Sequence, residues 1–145
     1  MTTIQFRQVV LDTTDARALA EFYRQLLGFD YRPGDEQPAD SDDPNGGDDP
    51  NGGDWLVLRN PDGGVQLAFQ QVAELPEPTW PEGPRPQMLH LDLTVPSADA
   101  LAAEHQRAAA LGARLLLDRS DDPDEPLYVY ADPSGHPFCI FVARP

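Results

Sequence analysis

The sequence of 145 residues has little cysteine, few basic side chains and no long apolar run. Its one cysteine, Cys139, excludes an intramolecular disulfide and is typical of the reducing cytoplasm. No apolar stretch approaches the roughly 20 residues of a membrane span, and the first residues lack the pattern of a signal peptide. Ten basic residues stand against 25 acidic ones, and the net charge of −15 argues against nucleic acid and anionic membranes as partners. We therefore expect an acidic cytoplasmic protein that binds neither.

The same order of elements occurs twice along the chain. In each half an apolar strand precedes a helix that ends at a glycine, Gly28 or Gly112, and two strands joined by a Pro-x-Gly turn close the half. We place the first strands at residues 4–11 and 89–95. The pattern predicts two β-α-β-β-β modules, at about 1–73 and 88–145, in one α+β domain spanning 1–145. We expect positive φ at Gly28, Gly112 and the turn residue Gly135.

Two segments do not fit the repeat. Residues 35–54 form an acidic insertion that carries a tandem hexapeptide, Asp-Asp-Pro-Asn-Gly-Gly, at 42–47 and 48–53. It has no aliphatic residue larger than Ala39, so we expect a solvated loop. The alternative is a calcium loop, although the spacing does not match an EF-hand. Residues 74–87 are rich in proline and predict an extended linker between the modules.

The repeat and its motifs resemble the vicinal oxygen chelate superfamily. The residues that carry the resemblance are Val9-Val-Leu-Asp12, Glu21-Phe-Tyr-Arg-Gln-Leu-Leu-Gly28, His90-Leu-Asp-Leu93, Leu111-Gly112 and Asp132-Pro-Ser-Gly-His-Pro-Phe138. The superfamily includes glyoxalases, extradiol dioxygenases, fosfomycin-resistance enzymes and bleomycin-binding proteins, and the chain is most similar to small glyoxalase-like proteins. The resemblance covers all but the insertion. It implies a curled, cup-shaped mixed sheet with the helices outside, the site inside and a homodimeric assembly.

Alternation along the strands then predicts which side chains face the cup. One face of the strands is expected to pack under the helices, and its apolar residues are Leu11, Val65, Leu67, Phe69, Leu89, Leu91 and Phe138. The opposite face then carries the ligand-binding candidates, which are Gln8, Asp12, Gln66, Gln70, His90, Asp92, Cys139 and Phe141. Trp55, Tyr128 and Tyr130 are expected as aromatic neighbours. His90 and Asp92 are candidate catalytic residues, or simply polar groups without chemistry. Same-face residues along a strand lie about 7 Å apart, so we expect these two to share a ligand without contacting each other.

The resemblance also implies where a metal would bind. Metal enzymes of the superfamily take one ligand from each of four strands, and those positions fall on Gln8, Gln66, His90 and Cys139. Gln66 and Cys139 replace the two carboxylates that such sites usually have. Oxygen-preferring cations bind poorly without carboxylates, whereas imidazole and thiolate could hold zinc or copper. We therefore expect no cofactor and no tightly bound divalent metal, and keep a metal site as the alternative.

Two classes of function remain open at this stage. The first is a small-molecule-binding protein of the sequestration or resistance type, whose polar cup and acidic exterior suit a cationic or polyhydroxylated ligand. The second is a lyase, isomerase or dioxygenase of the superfamily that uses His90, with or without a divalent metal. Whether the protein is an enzyme is not decided by the sequence. His105 and His136 are expected to be packing and turn residues.

Overall fold

The computed structural model describes residues 2–37 and 54–143, which fold as two compact units. The first unit is Met1–Leu75 and the second is Pro76–Pro145. The boundary between them therefore lies in the proline-rich segment at 74–87. Each unit contains one helix and one open four-stranded sheet.

The first unit is a β-α-β-β-β module. Its elements are β1 Gln8–Thr13, α1 Ala16–Leu27, β2 Asp30–Tyr31, β3 Trp55–Arg59 and β4 Gln66–Gln71. The strand order is β1-β4-β3-β2, in which β1 runs parallel to β4 and the other pairs are antiparallel. β1 and β4 are thus neighbours, because α1 carries the chain from β1 to β2 at the far edge of the sheet, and β3 and β4 then fill the positions between them.

Local sequence fixes both ends of α1. The Asp15 side chain accepts a hydrogen bond from the backbone N–H of Ala18, which satisfies a free donor of the first turn. At the other end Gly28 takes a left-handed conformation with φ of 70°, and its N–H donates to the carbonyl of Arg24. The apolar face between them is buried, and Tyr23 stacks on Phe69 of β4 with ring centroids 6.0 Å apart. This packing holds α1 against one face of the sheet.

The second unit repeats the module. Its elements are β5 Leu91–Val95, α2 Ala98–Leu111, β6 Arg114–Arg119, β7 Leu127–Ala131 and β8 Pro137–Val142. The strand order is β5-β8-β7-β6, with β5 parallel to β8. Within the described residues, neither helix is long and apolar enough to cross a membrane. The prediction of an α+β fold of two β-α-β-β-β modules is confirmed.

The glycines predicted to end the helices and to make the last turn have the expected conformation. Gly112 has φ of 116° and Gly135 has φ of 97°, which together with Gly28 confirms the prediction for all three. Side chains are strained in this region of φ, so these positions favour glycine. At Gly135 a Cβ atom would also lie 2.5 Å from Cγ of Glu77, so the turn packs closely against that side chain.

The predicted limits of the first strand in each unit were wrong by a few residues. Phe6 is 72% exposed and precedes β1, while Leu89 is 58% exposed and precedes β5. Val65, predicted to be core, is 39% exposed and precedes β4. The physical reason is pairing: the parallel ladders begin at Gln8↔Gln66 and Leu91↔Phe138, so apolar residues upstream of them have no ladder partner.

The predicted insertion also begins too early. Residues 38–53, which include both hexapeptides, lie outside the described residues, so the loop and calcium interpretations remain predictions. Asp35, however, is only 7% exposed. Its carboxylate accepts a hydrogen bond from the N–H of Val57 at 3.0 Å, and its carbonyl accepts one from buried Arg17 at 2.7 Å. Asp35 therefore belongs to the folded unit and not to a solvated loop.

Candidate functional site

In the first unit, four of the predicted ligand-binding residues lie in two cross-strand pairs. Gln8 pairs with Gln66 and Asp12 with Gln70 along the parallel ladder of β1 and β4. The two members of the first pair are half-buried, and those of the second are exposed. All four lie on the face opposite Leu67 and Phe69, because side chains alternate along a strand. This face offers neutral amides with one carboxylate at its end.

The second unit brings its predicted residues together more tightly. Asp92 of β5 is the cross-strand partner of Cys139 in β8, and Thr94 is the partner of Phe141. His90 directly precedes β5 and lies on the same side as Asp92. One ligand atom each from His90, Asp92 and Cys139 all lie within 4.8 Å of one another. Among the described residues, this is the one group of three metal-ligating side chains at such distances.

The expected separation of His90 and Asp92 was wrong. The Nε2 atom of His90 lies 3.1 Å from Oδ1 of Asp92, a hydrogen-bonding distance. The strand spacing of about 7 Å applies to backbone positions, and two side chains that lean toward each other close that gap. On its other side, His90 Nδ1 lies 3.1 Å from Oε1 of Gln87. The imidazole is therefore held at both nitrogens, although 41% of its side-chain surface is exposed.

Cys139 is half-buried and its thiol is held in the protonated form. Burial, together with the negative charge and the hydrogen bond of Asp92, raises the pKa of Cys139 to about 11. A thiol with this pKa is almost entirely neutral at pH 7, and only a thiolate acts as a nucleophile or a base. The position that the resemblance assigns to a carboxylate thus carries a neutral group.

The donors of the two units differ in the metals that they fit. The first unit contributes amides from Gln8 and Gln66, which carry no charge and bind hard cations weakly. The second contributes an imidazole, a carboxylate and a thiol, a set that suits zinc better than magnesium, manganese or calcium. Asp92 was not among the predicted metal ligands. The signal that could have found it is the register of β5 with β8, which places it across from Cys139.

Two aromatic residues expected near the site lie elsewhere. Tyr128 and Tyr130 are on the helix-facing side of β7, whereas Val129, between them, pairs with Cys139. The imidazole of His105 in α2 stacks on Tyr128 with centroids 4.0 Å apart, and its Nδ1 lies 2.7 Å from the hydroxyl of Tyr130. Strand alternation explains the error, since residues of even number in β7 face the helix. Trp55, in contrast, pairs with Gln70 and lies on the polar face of the first unit.

His136 has a structural contact that accounts for its position. Its Nδ1 lies 2.9 Å from Oδ2 of Asp132, and Asp132 Oδ1 accepts hydrogen bonds from the N–H groups of Ser134 and His136. The Asp132 carboxylate is fully buried in the turn. His136 thus braces the turn between β7 and β8, consistent with its expected role as a turn residue.

A hollow of about 390 Å³ in the first unit was not predicted from the sequence. It is lined by Glu21, Arg24, Asp30, Tyr31, Glu36 and Gln37. Glu21 already accepts hydrogen bonds from Arg24 at 2.7 Å and from the Tyr31 hydroxyl at 2.6 Å. Burial would raise the pKa of Glu21, but these two hydrogen bonds together with the positive charges of Arg24 and Arg17 outweigh it and lower the pKa. The Glu21 carboxylate is therefore already hydrogen-bonded to two other residues that line the hollow, Arg24 and Tyr31.

Comparison with known proteins agrees with this architecture. The model of the glyoxalase-like domain family matches residues 8–141. No curated protein matches the sequence.

Several solved structures are similar in fold. A glyoxalase/bleomycin resistance protein/dioxygenase family enzyme from Burkholderia phytofirmans PsJN is 19% identical, covers 97% of this chain and 100% of its own, and gives a TM-score of 0.67. A glyoxalase/dioxygenase from Nostoc punctiforme is 19% identical over 97% of this chain and 92% of its own, with a TM-score of 0.64. Lactoylglutathione lyase from Agrobacterium tumefaciens is 14% identical over 96% and 93%, with a TM-score of 0.58. At these identities the similarity establishes the fold and not the activity.

Proposed function

Since the chain belongs to the glyoxalase-like domain family, we propose that it binds a small molecule on its polar sheet faces, as a sequestration or resistance protein, without an oxygen-coordinated catalytic metal. The observation that carries this proposal is Cys139. The resemblance assigns its position to a carboxylate that binds metal and serves as the base, and burial with Asp92 keeps the pKa of the Cys139 thiol near 11. A neutral thiol performs neither task at pH 7.

The side chains on the two faces suggest the chemistry of the ligand. Gln8, Gln66 and Gln70 offer amide donors and acceptors, which suit hydroxyl and amide groups. Asp12 and Asp92 are exposed carboxylates, one on each face, and the net charge of −15 favours the approach of a cation. Trp55 and Phe141 add apolar surface. Each face, taken by itself, therefore has a carboxylate and an aromatic ring, which fit a cationic or polyhydroxylated molecule.

Calorimetric titration with metal-free bleomycin, in the presence of a chelator, tests the proposal. The names of the similar structures suggest this cationic glycopeptide as the first probe, with uncharged and anionic sugars as comparison ligands. We expect saturable binding that weakens about tenfold or more in Asp92→Asn, because a charged hydrogen bond contributes about 1.5–3 kcal/mol. Asp121→Asn, which removes an exposed carboxylate from the loop between β6 and β7, is the matched control.

The proposal fails if none of the cationic or polyhydroxylated ligands binds, or if Asp92→Asn and Asp121→Asn weaken binding equally. Equal weakening would mean that general charge, and not the polar face, attracts the ligand.

The alternative function is a lyase, isomerase or dioxygenase that uses His90. The contact of 3.1 Å between His90 Nε2 and Asp92 Oδ1 favours it, because a carboxylate that orients an imidazole is a common arrangement for a general base. The name of the similar structure from Agrobacterium tumefaciens, lactoylglutathione lyase, suggests lactoylglutathione as the first compound to assay. Turnover that disappears in His90→Gln but persists in His105→Gln would make the enzyme the better description.

We also propose that the protein is cytoplasmic and forms a homodimer. A single cysteine supports the first, and family resemblance supports the second. Light scattering of the purified chain tests the assembly, since a monomer has a mass of 16.0 kDa. A monomer at micromolar concentration would contradict the homodimer.

A further inference from the structure

The hollow of about 390 Å³ in the first unit lies between α1, β2 and the turn that follows β2. Its lining carries three carboxylates, those of Glu21, Asp30 and Glu36, and one guanidinium, that of Arg24. We propose that the hollow binds an aliphatic diamine, a molecule with two ammonium groups joined by a short hydrocarbon chain. This inference goes beyond the proposed function, which uses the polar sheet faces, and does not depend on it.

The walls of the hollow are held in place by contacts within the first unit. The Tyr31 hydroxyl donates to Glu21 at 2.6 Å, and the guanidinium of buried Arg17 lies 4.9 Å from the centroid of the Tyr31 ring. The turn after β2 is fixed to β3, because the Asp35 carboxylate accepts a hydrogen bond from the N–H of Val57. A site whose walls are already ordered loses less conformational entropy when a ligand binds.

The charges of the lining favour a ligand with two positive groups. Nε and Nη2 of Arg24 donate to the two carboxylate oxygens of Glu21 at 2.7 and 2.9 Å, so these two side chains neutralise each other. Asp30 and Glu36 are exposed carboxylates, and three carboxylates against one guanidinium leave two negative charges in excess. Two ammonium groups balance that excess, and each donates charge-assisted hydrogen bonds to a carboxylate.

The spacing of the carboxylates favours an extended organic cation over a metal ion. Within residues 2–37 and 54–143, the three carboxylates of the hollow do not come close enough together to share one ion. A chain with an ammonium group at each end can reach carboxylates that are apart. The half-buried Tyr31 ring in the lining offers apolar surface for the hydrocarbon between those ends. Sites for small molecules usually measure about 300–1,000 Å³, so the hollow is large enough for such a ligand.

Two further cations behind the lining limit the affinity. Arg32 is paired with Asp35 at 3.1 Å, so its charge is largely balanced. Arg17 donates to the backbone carbonyl of Asp35, and its charge lowers the pKa of Glu21. The positive charge of Arg17 therefore offsets part of the negative excess, and we expect the diamine to bind with a dissociation constant in the micromolar to millimolar range.

Backbone amide shifts of the full-length, nitrogen-15-labelled protein locate the site during a titration with 1,4-diaminobutane. A salt concentration of about 150 mM reduces unspecific attraction to the acidic surface. We expect saturable shifts at Tyr31, Glu36 and Gln37. Aminobutane, which has one ammonium group, should bind at least threefold more weakly. Butane-1,4-diol, which has none, should leave these amides unchanged.

Substitutions that remove one charge test the role of each carboxylate. Asp30→Asn and Glu36→Gln should each weaken diamine binding about three- to tenfold, as is typical of an exposed ion pair that becomes partly buried by a ligand. Asp62→Asn is the matched control, because it removes an exposed carboxylate from the β3–β4 turn of the same unit. It should bind the diamine within about twofold of the unaltered chain. All three positions are exposed, and circular dichroism checks that the variants are folded.

The proposal is overturned if the amide shifts are confined to the acidic repeat at 42–53, if aminobutane binds as tightly as the diamine, or if Asp30→Asn and Asp62→Asn weaken binding equally. The bleomycin titration addresses the polar sheet faces, whereas the amide shifts report on β2 and the turn after it. A failure of the diamine site and a failure of the proposed function are therefore separately visible.

Discussion

Replacing Asp35 by alanine tests whether the residues after β2 are part of the folded first unit. The Asp35 carboxylate accepts a hydrogen bond at 3.0 Å from the N–H of Val57, which is itself buried in β3. Alanine removes this acceptor and leaves the buried N–H without that partner. An unsatisfied buried donor costs about 1–3 kcal/mol, and the Asp35 side chain also lies 3.1 Å from the Arg32 guanidinium. Arg32 is 42% exposed, so solvent reduces its contribution.

We therefore expect Asp35→Ala to lower the free energy of unfolding by about 1–3 kcal/mol, which corresponds to a fall in Tm of roughly 3–10 °C. Asp35→Asn keeps an oxygen acceptor of nearly the same shape and should lose less. Urea unfolding followed by circular dichroism measures both variants.

Glu36→Ala is the matched control for this experiment. Glu36 is the next residue, is exposed, and accepts a hydrogen bond from the N–H of Gly34. Its removal should change stability by less than about 0.5 kcal/mol, as is usual for surface substitutions. If Asp35→Ala is no more destabilising than Glu36→Ala, the assignment of Asp35 to the core is wrong.

Three further outcomes are expected. Replacing residues 38–53 by a short glycine linker should change Tm little, because the segment contains no large apolar side chain. Loss of cooperative unfolding in this variant, or a calcium-dependent rise in Tm of the intact chain, would refute this expectation. Gly28→Ala and Gly135→Ala should each lower the free energy of unfolding by about 1 kcal/mol or more. Gly135→Ala should have the larger effect, because its Cβ would meet Glu77 whereas the space beside Gly28 is open. The Cys139 thiol has a pKa of about 11 in the folded state against its ordinary value of 9.0. The folded state therefore keeps its proton to a higher pH, and the free energy of unfolding should fall as pH rises from 9 to 11. Urea unfolding at pH 8 to 10.5 should show a smaller decline in Cys139→Ser, and an identical decline would contradict the assigned burial.

Much of the fold could be predicted because local signals and global topology agree. The αL glycines, the two Pro-x-Gly turns and the apolar spacing of α1 each have a physical cause within a few residues. Because the same order of elements occurs in both halves of the sequence, each predicted element in one half supported the corresponding element in the other. The ends of the first strands could not be predicted, because apolar composition continues past Phe6 and Leu89 although the ladder that defines a strand does not.

The site was predicted less completely. Strand alternation assigned Asp92 and Cys139 to one face, but their direct cross-strand pairing depends on the register of β5 with β8, which has no local signal. The contact between His90 and Asp92 was missed because it depends on the conformations of the two side chains, which the spacing along a strand does not determine. Tyr128 and Tyr130 were misplaced because an aromatic strand does not show from its composition which side faces the helix.

The parallel pairing of β1 with β4 has a consequence for the order in which the first unit forms. Leu58 and Leu67 of the β3–β4 hairpin are 9 positions apart (67 − 58), whereas Gln8 and its partner Gln66 are 58 apart (66 − 8). Hairpins close in about 1–10 μs, and ladders between distant segments follow more slowly. We expect β1 to join last, which leaves the edge of β4 open in the meantime. A strand from a second copy of the chain can occupy an open edge, so this interval is when strand exchange and aggregation compete with folding.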